Sequence, residues 1–324
     1  IPGWNYRFYK YVHFHTLLPH KPTYGSETAS IVSSRGEFVP SDQGEDWKIE
    51  ETLQANSYDL SSPGWGLDPD LEFKAQDECD FIMGEFVWTG FDYLGEPKPY
   101  WAEWPSRSSY FGIIDLGGIP KSRFYLYQAK WSDKDVLYLL PHWNWAGHEG
   151  QPIPVHCYTS FSGAELFVNG KSMGKRYKGH KSITRSPYRL MWPAVPYEAG
   201  ELKVVAYDKK GTVQGEYVIH TAGAPAKLEL CCESDAIKAD GDDMAFVTVA
   251  VRDIDGNLCP RANNDVAFSV TGPAEIAAVC NGDATSLESF QDTGIKAFNG
   301  MCVVYLRSLR GQTGVITITA TSEG

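Results

Sequence analysis

Carboxylates set beside apolar runs are the first candidates for chemistry in this chain, and Glu27, Glu85 and Glu96 all stand in or next to such runs. A carboxylate at a strand end can attack an electrophilic carbon or pass a proton, provided its surroundings keep it in the protonation state that the step needs. Thr23-Tyr24-Gly25-Ser26-Glu27 reads as a strand ending on an acid, and Phe81-Ile82-Met83-Gly84-Glu85-Phe86-Val87-Trp88 as a second, buried strand. Each acid also has an ordinary explanation. A strand-end Glu is commonly solvated or salt-bridged, a Glu inside an apolar strand is commonly a paired structural acid, and Glu96 reads as a loop residue. Nine of the ten tryptophans precede residue 146. Indole faces pack on the C–H faces of sugars, so this segment suits a carbohydrate cleft; a large aromatic core would have the same composition.

Other chemistry is thinly supported. His13 and His15 have an i, i+2 spacing open to a metal, but no Cys or acid accompanies them, so they read as helix-surface or core side chains. The seven cysteines, Cys79, Cys157, Cys231, Cys232, Cys259, Cys280 and Cys302, are odd in number and contain no C-x-x-C. Most therefore read as buried free thiols, with Cys259–Cys280 and Cys232–Cys302 left open as bridges. No cofactor is called for, and a structural or substrate-site cation is left open.

The elements that position these residues change character along the chain. Through residue 131, short strands alternate with helix or loop. Residues 9–18 have helical character stopped by Pro19, and 41–79 are rich in Asp, Glu, Ser, Gly and Pro and read as a long decorating loop. Strands separated this way, with polar residues at their C-terminal ends, suit a parallel β/α arrangement whose strand ends carry the chemistry. From about residue 133 the pattern is β only. Strand-like runs at 136–140, 153–158, 164–168, 188–192, 202–207 and 217–220 suggest a sandwich, with turns at Asn169-Gly170 and Lys209-Lys210-Gly211. Residues 221–225 read as a linker. Runs at 226–231, 245–253, 265–270, 301–306 and 314–321, with a turn at Asp255-Gly256-Asn257, suggest a second sandwich.

Charge follows the same division. Residues 1–131 carry 11 basic and 19 acidic groups, 132–222 carry 11 and 8, and 223–324 carry 7 and 14. The net charge of −12 disfavours nucleic acid and anionic membranes as partners. No run of 18 apolar residues offers a membrane span, and the first residues do not have the pattern of a signal peptide.

The motifs are more specific than the composition. Tyr24-Gly25-Ser26-Glu27-Thr28-Ala29-Ser30 with Ser33-Ser34-Arg35-Gly36 resembles the nucleophile segment of family 2 glycoside hydrolases of the Bacteroidetes β-galactosidase type. Gly84-Glu85-Phe86-Val87-Trp88-Thr89-Gly90-Phe91-Asp92-Tyr93-Leu94-Gly95-Glu96-Pro97 resembles that family's next barrel strand. The similarity continues through Ser108-Ser109-Tyr110-Phe111-Gly112-Ile113-Ile114-Asp115-Leu116, Pro120-Lys121, Leu140-Pro141-His142-Trp143-Asn144-Trp145 and Glu165-Leu166-Phe167-Val168-Asn169-Gly170-Lys171. It covers essentially the whole chain.

The resemblance implies a multidomain protein: the C-terminal part of a (β/α)8 TIM barrel at 1–131, a β-sandwich at 132–222, and an Ig-like, invasin-like sandwich at 223–324. It implies a retaining exo-glycosidase, most simply a β-galactosidase, with β-glucuronidase, another family 2 exo-glycosidase or a non-catalytic carbohydrate-binding fragment as alternatives. Glu27 takes the place of the nucleophile and Tyr6 that of a tyrosine bonded to it. Trp88 matches the sugar platform, and Asp92 and Asn5 are placed with the substrate-binding residues. A His three residues beyond the nucleophile in the best-known member is Ser30 here. The family's acid/base follows an Asn in an Asn-Glu pair on an earlier barrel strand, and this chain contains no Asn-Glu pair. Its barrel similarity begins near the sixth strand, so that partner belongs to a part of the barrel outside these residues. Lys121 and Arg107 are candidate partners for a sugar carboxylate, too ambiguous to decide for a glucuronidase. Residues 142–145 are expected to pack between barrel and sandwich. The implied partners are a carbohydrate and either a second copy or the remaining barrel segment; the implied location is periplasmic or extracellular.

Overall fold

The computed structural model describes residues 1–42, 48–179, 185 and 187–323. The chain opens with β1 (Gly3–Asn5), α1 (Tyr11–Leu17) and β2 (Thr23–Ala29). A two-strand hairpin, β3 (Lys48–Ile49) and β4 (Gln54–Ala55), precedes α2 (Pro69–Glu78), β5 (Ile82–Trp88) and α3 (Ser122–Trp131). Strands β1, β2 and β5 form a parallel sheet in that order, with β2 in the middle. A parallel pair needs a crossover, and α1 and α2 supply the two that this sheet requires.

Helix α2 corrects the expectation of a loop over 41–79; residues 43–47 of that stretch lie outside the described residues. The residues that suggested a loop are the helix's own start signal. Asp68 caps it by accepting the Asp70 backbone N–H at 2.9 Å, Pro69 sits at the first helical position, and Asp70 and Glu72 fall in the first turn. Asp68, Asp70 and Glu72 are all buried, the first two paired with Arg189 and Glu72 accepting from the Tyr11 hydroxyl, so their polarity does not mark solvent exposure.

Seven strands follow: β6 (Leu137–Leu140), β7 (Pro152–Thr159), β8 (Gly163–Val168), β9 (Lys171–Tyr177), β10 (Arg189–Pro196), β11 (Glu201–Tyr207) and β12 (Val213–His220). They make two antiparallel sheets, β10-β7-β6 and β12-β11-β8-β9, joined by a core that includes Trp143, Val155, Leu166, Trp192 and Val204. Asn169 and Gly170 turn the β8–β9 hairpin with φ of 48° and 78°, the left-handed pair that a tight hairpin requires. Strand β9 carries no sequence signal because its mostly polar residues form an edge with little apolar burial.

The last part holds β13 (Lys227–Cys232), β14 (Met244–Arg252), β15 (Asp265–Thr271), β16 (Ala274–Cys280), β17 (Gly294–Lys296), β18 (Met301–Ser308) and β19 (Thr317–Thr321). Sheets β13-β14-β18-β16 and β17-β15-β19 enclose a second core around Val247, Val249, Phe268 and Val304. Two of these strands escape a reading by alternation: β16 shifts register between Ile276 and Ala278, and β17 is three residues long. All seven thiols are free; Cys231 and Cys232 are exposed and the other five are buried.

Polar groups buried between distant segments lock these parts together. Arg189 on β10 forms a buried pair with Asp70, bonds Asp70 Oδ1 from Nε at 3.0 Å, and donates to the Tyr58 carbonyl at 3.2 Å. Removing one member strands a buried charge, so Arg189→Met should lower stability by about 3–5 kcal/mol, whereas Arg189→Met with Asp70→Leu should recover most of the loss. Urea midpoints of the three proteins test this; a double variant as weak as the single one would assign the effect to Arg189's other partners, the Tyr58 carbonyl, the Tyr158 hydroxyl and Asp68.

Candidate active site

The C-terminal ends of β1, β2 and β5 bring four of the singled-out residues, Asn5, Tyr6, Glu27 and Trp88, together at one edge of the sheet. In the parallel ladder Asn5 pairs with Glu27, and Ala29 pairs with Trp88. Glu27 therefore lies near the end of the central strand, with β1 delivering Asn5 and Tyr6 on one side and β5 delivering Trp88 on the other. The Tyr6 backbone N–H donates to the Glu27 carbonyl at 2.9 Å, which extends the β1–β2 register by one residue.

Local backbone then folds the strand ends together. Ala29 and Ser30 both have a φ of 62°, a left-handed pair that turns the chain sharply after β2. The turn brings Ser30 Oγ to 2.5 Å from the Tyr6 hydroxyl. Gly66 packs over it: a Cβ there would lie 2.8 Å from the Ala29 carbonyl oxygen and 3.1 Å from Ser30 Cβ, so only glycine allows this approach. Leu67 N–H closes the contact on the Ala29 carbonyl at 2.6 Å. The Tyr6 phenol is held well above its ordinary range, by burial first and further by the Glu27 and Glu96 charges, against the pull of its bond with Ser30. Tyr6 thus stays a neutral donor next to the Glu27 carboxylate. Asn5 is exposed and accepts a 2.5 Å hydrogen bond from Ser26 Oγ.

Trp88 is half-buried, and its indole meets the Tyr93 ring edge-on at 6.0 Å. Tyr93 donates to Glu96 Oε2 at 2.5 Å. Glu96 lies in the loop after β5, and the structure ties it to Trp88 through Tyr93 and brings its charge within range of Tyr6. The only sequence signal for this was the Tyr93–Glu96 spacing across Gly95, a turn with Glu96 at φ 45° and Gly95 at 102°. Behind Trp88 and Tyr93 lies a cluster of Val32, Ala55, Tyr100, Tyr110, Phe111 and Ala284. Ala284 comes from the last part of the chain, and its carbonyl accepts the Arg107 N–H at 3.0 Å.

Asp92 stands differently from its expected place on a pocket wall. Its side chain is 4% exposed, pairs with Lys121 Nζ at 2.5 Å, and accepts from Gly112 N–H at 2.7 Å and Ser109 Oγ at 3.2 Å. A carboxylate engaged on both oxygens holds the turn after β5 and has no oxygen open to a ligand. The same pairing commits Lys121, while the half-buried Arg107 stacks on Phe290 at 5.2 Å. Glu85 points to the face that α1 and α2 cover, where Thr28 Oγ1 donates to it at 2.5 Å beside Tyr11 and Glu72. Burial above all pushes its carboxyl up to about 7.

Among the described residues no three His, Cys, Asp or Glu side chains come together as a metal site. His15 stacks on Phe81 at 3.9 Å. Trp143, Asn144 and Trp145 bond to the Glu198, Ala222 and His142 carbonyls, a packing role between segments.

A model of the glycoside hydrolase family 2 C-terminal domain 5 matches residues 228–324, and a model of a domain of unknown function (DUF4982) matches 150–215. The chain is 43% identical to the β-galactosidase BoGH2A of Bacteroides ovatus, over 100% of this chain and 38% of that protein. It is 28% identical to a β-glucuronidase of Formosa agariphila, over 84% of this chain and 26% of that one. Among solved structures, a β-glycosidase from Bacteroides vulgatus superposes with a TM-score of 0.83 at 31% identity, covering 96% of this chain and 42% of its own. A glycosyl hydrolase family 2 member from Bacteroides cellulosilyticus superposes at 0.78 with 26% identity, over 99% of this chain and 40% of its own. The chain thus spans well under half the length of the relatives it matches.

Proposed function

This chain belongs to glycoside hydrolase family 2, and on that footing we propose that its parent protein is a retaining, exo-acting β-galactosidase in which Glu27 is the nucleophile. The observation that carries the proposal is the convergence of Glu27, Tyr6 and Trp88 on the C-terminal ends of three neighbouring parallel strands. Catalytic groups of β/α barrels come from such ends. The order β1–α1–β2–α2–β5–α3 supports reading residues 1–131 as the last units of a (β/α)8 barrel. The two pairs of antiparallel sheets support sandwiches at 132–222 and 223–324, the second Ig-like.

The reaction follows from a pair of carboxyl groups set roughly 5–5.5 Å apart. An oxygen of ionised Glu27 attacks the anomeric carbon while the glycosidic C–O bond breaks. The departing oxygen takes a proton from the second carboxylic acid, which the barrel segment outside this chain supplies. That carboxylate then removes a proton from water, whose oxygen attacks the anomeric carbon, breaks the ester bond and restores Glu27. Tyr6, kept neutral, donates to Glu27 in its ionised state and helps hold it in line. Trp88 offers its face to the sugar ring, with Tyr93 and Glu96 fixing its angle. Asn5 is placed to meet a sugar hydroxyl.

A β-glucuronidase would have to desolvate a sugar carboxylate, and of the two basic residues considered for that purpose Lys121 is already paired with Asp92. On a panel of nitrophenyl glycosides, the full-length protein should therefore turn over the β-galactoside about 10²-fold or more faster than the β-glucuronide, since an unpaired buried charge is rejected strongly. Faster release from the glucuronide would overturn the sugar assignment.

A further inference from the structure

Beside the Glu27 edge, two loops raise tryptophans that the catalytic reading leaves unused. Trp65 precedes Gly66, the residue pressed against Ala29 and Ser30 at the end of β2. Trp101 lies in the loop that continues from Glu96, whose carboxylate is bonded to Tyr93. Lys98 links the two: its ammonium lies 5.6 Å from the Trp65 ring centroid and 5.5 Å from that of Trp101. The cation holds both indoles in place through their ring faces. Even so, Trp65 is 44% and Trp101 54% exposed. Large aromatic surface left open next to a cleft marks a place where something else packs.

We propose that Trp65, Lys98 and Trp101 form a shelf for the leaving-group sugar of an oligosaccharide. This rests on the glycosidase reading above and extends it from the terminal sugar to its neighbour. The shelf belongs to loops that follow β2 and β5, the strands that carry Glu27 and Trp88, so a glycan cleaved at Glu27 continues outward over it. The indole faces take the C–H faces of the next ring, and the ammonium donates to its hydroxyls. Such a shelf makes the enzyme favour glycans over small glycosides.

The test uses the full-length protein with β-galactosyl fluoride, whose leaving group is a single atom, and a β-linked galactosyl disaccharide. In Trp65→Ala and Trp101→Ala, kcat/KM for the disaccharide should fall about tenfold more than kcat/KM for the fluoride, the scale of a truncated aromatic anchor. Trp101→Phe, which keeps a ring, should recover most of that loss and so separates stacking from a folding defect. Equal losses on the two substrates, no loss on the disaccharide, or no recovery with Phe would overturn the shelf. A wild-type protein that hydrolyses neither substrate overturns the β-galactosidase reading itself, whereas one that hydrolyses the fluoride while the variants keep their substrate ratio overturns only the shelf.

Discussion

Glu27→Gln should abolish turnover by the full-length protein, lowering kcat on a nitrophenyl β-galactoside by roughly 10⁴-fold or more, the scale on which loss of a covalent nucleophile acts. The amide matches the carboxylate in size, so the strand end and its Tyr6 and Asn5 contacts keep their shape. It lacks the negative charge and lone-pair strength needed to form the glycosyl ester. A purely structural Glu27 would give a different pattern, with rate and stability falling together. Chemical rescue separates the two. In Glu27→Gly, azide entering the vacated space should attack the anomeric carbon in one displacement and yield the α-glycosyl azide. Recovery of the β-azide would move Glu27 to the acid/base role, and no adduct with a nitrophenyl substrate would remove it from the chemistry.

The isolated 324-residue chain should be catalytically silent, with a rate loss larger than the roughly 10²–10⁴-fold that general acid–base catalysis contributes. The second carboxyl group is one reason. The sheet is the other. Among the described residues β1 and β5 each pair on one side only, and on β5 Met83 is 62% and Phe86 68% exposed. Open edges and apolar faces of this kind favour association. Sedimentation should therefore find the purified chain self-associated, or captured by a separately expressed barrel segment that restores turnover. Sugar binding without turnover would fit the alternative of a carbohydrate-binding fragment. Robust hydrolysis by the chain alone, lost in Glu27→Gln, would falsify the silence while upholding the nucleophile.

Much of this architecture is local in origin, and local patterns are written in sequence. The strand ending near Glu27, the buried strand to Trp88, the helix before Pro19 and the Asn169-Gly170 hairpin each follow from a period or a turn residue within a few positions. The motif resemblance added what periodicity does not contain: which strand-end acid stands in the place of the family's nucleophile. Helix α2 was hidden because the acids of its first turn are buried by distant partners, Asp70 against Arg189, 119 positions away, and Glu72 against Tyr11. Glu85 and Asp92 looked alike as acids near an apolar run, but one faces the helices beside Thr28 and the other is paired with Lys121. Only packing distinguishes them, because the face a side chain takes and the charge it meets are decided by segments far away in the chain. The same holds for Glu96, joined to Tyr93 beside Trp88, and for Ala284, which reaches from the last part of the chain to the wall behind Trp88. Sequence determined the strands and the acid at the end of the middle one. Tertiary structure decided which other residues stand around that acid, because burial and charge pairing are properties of neighbours in space.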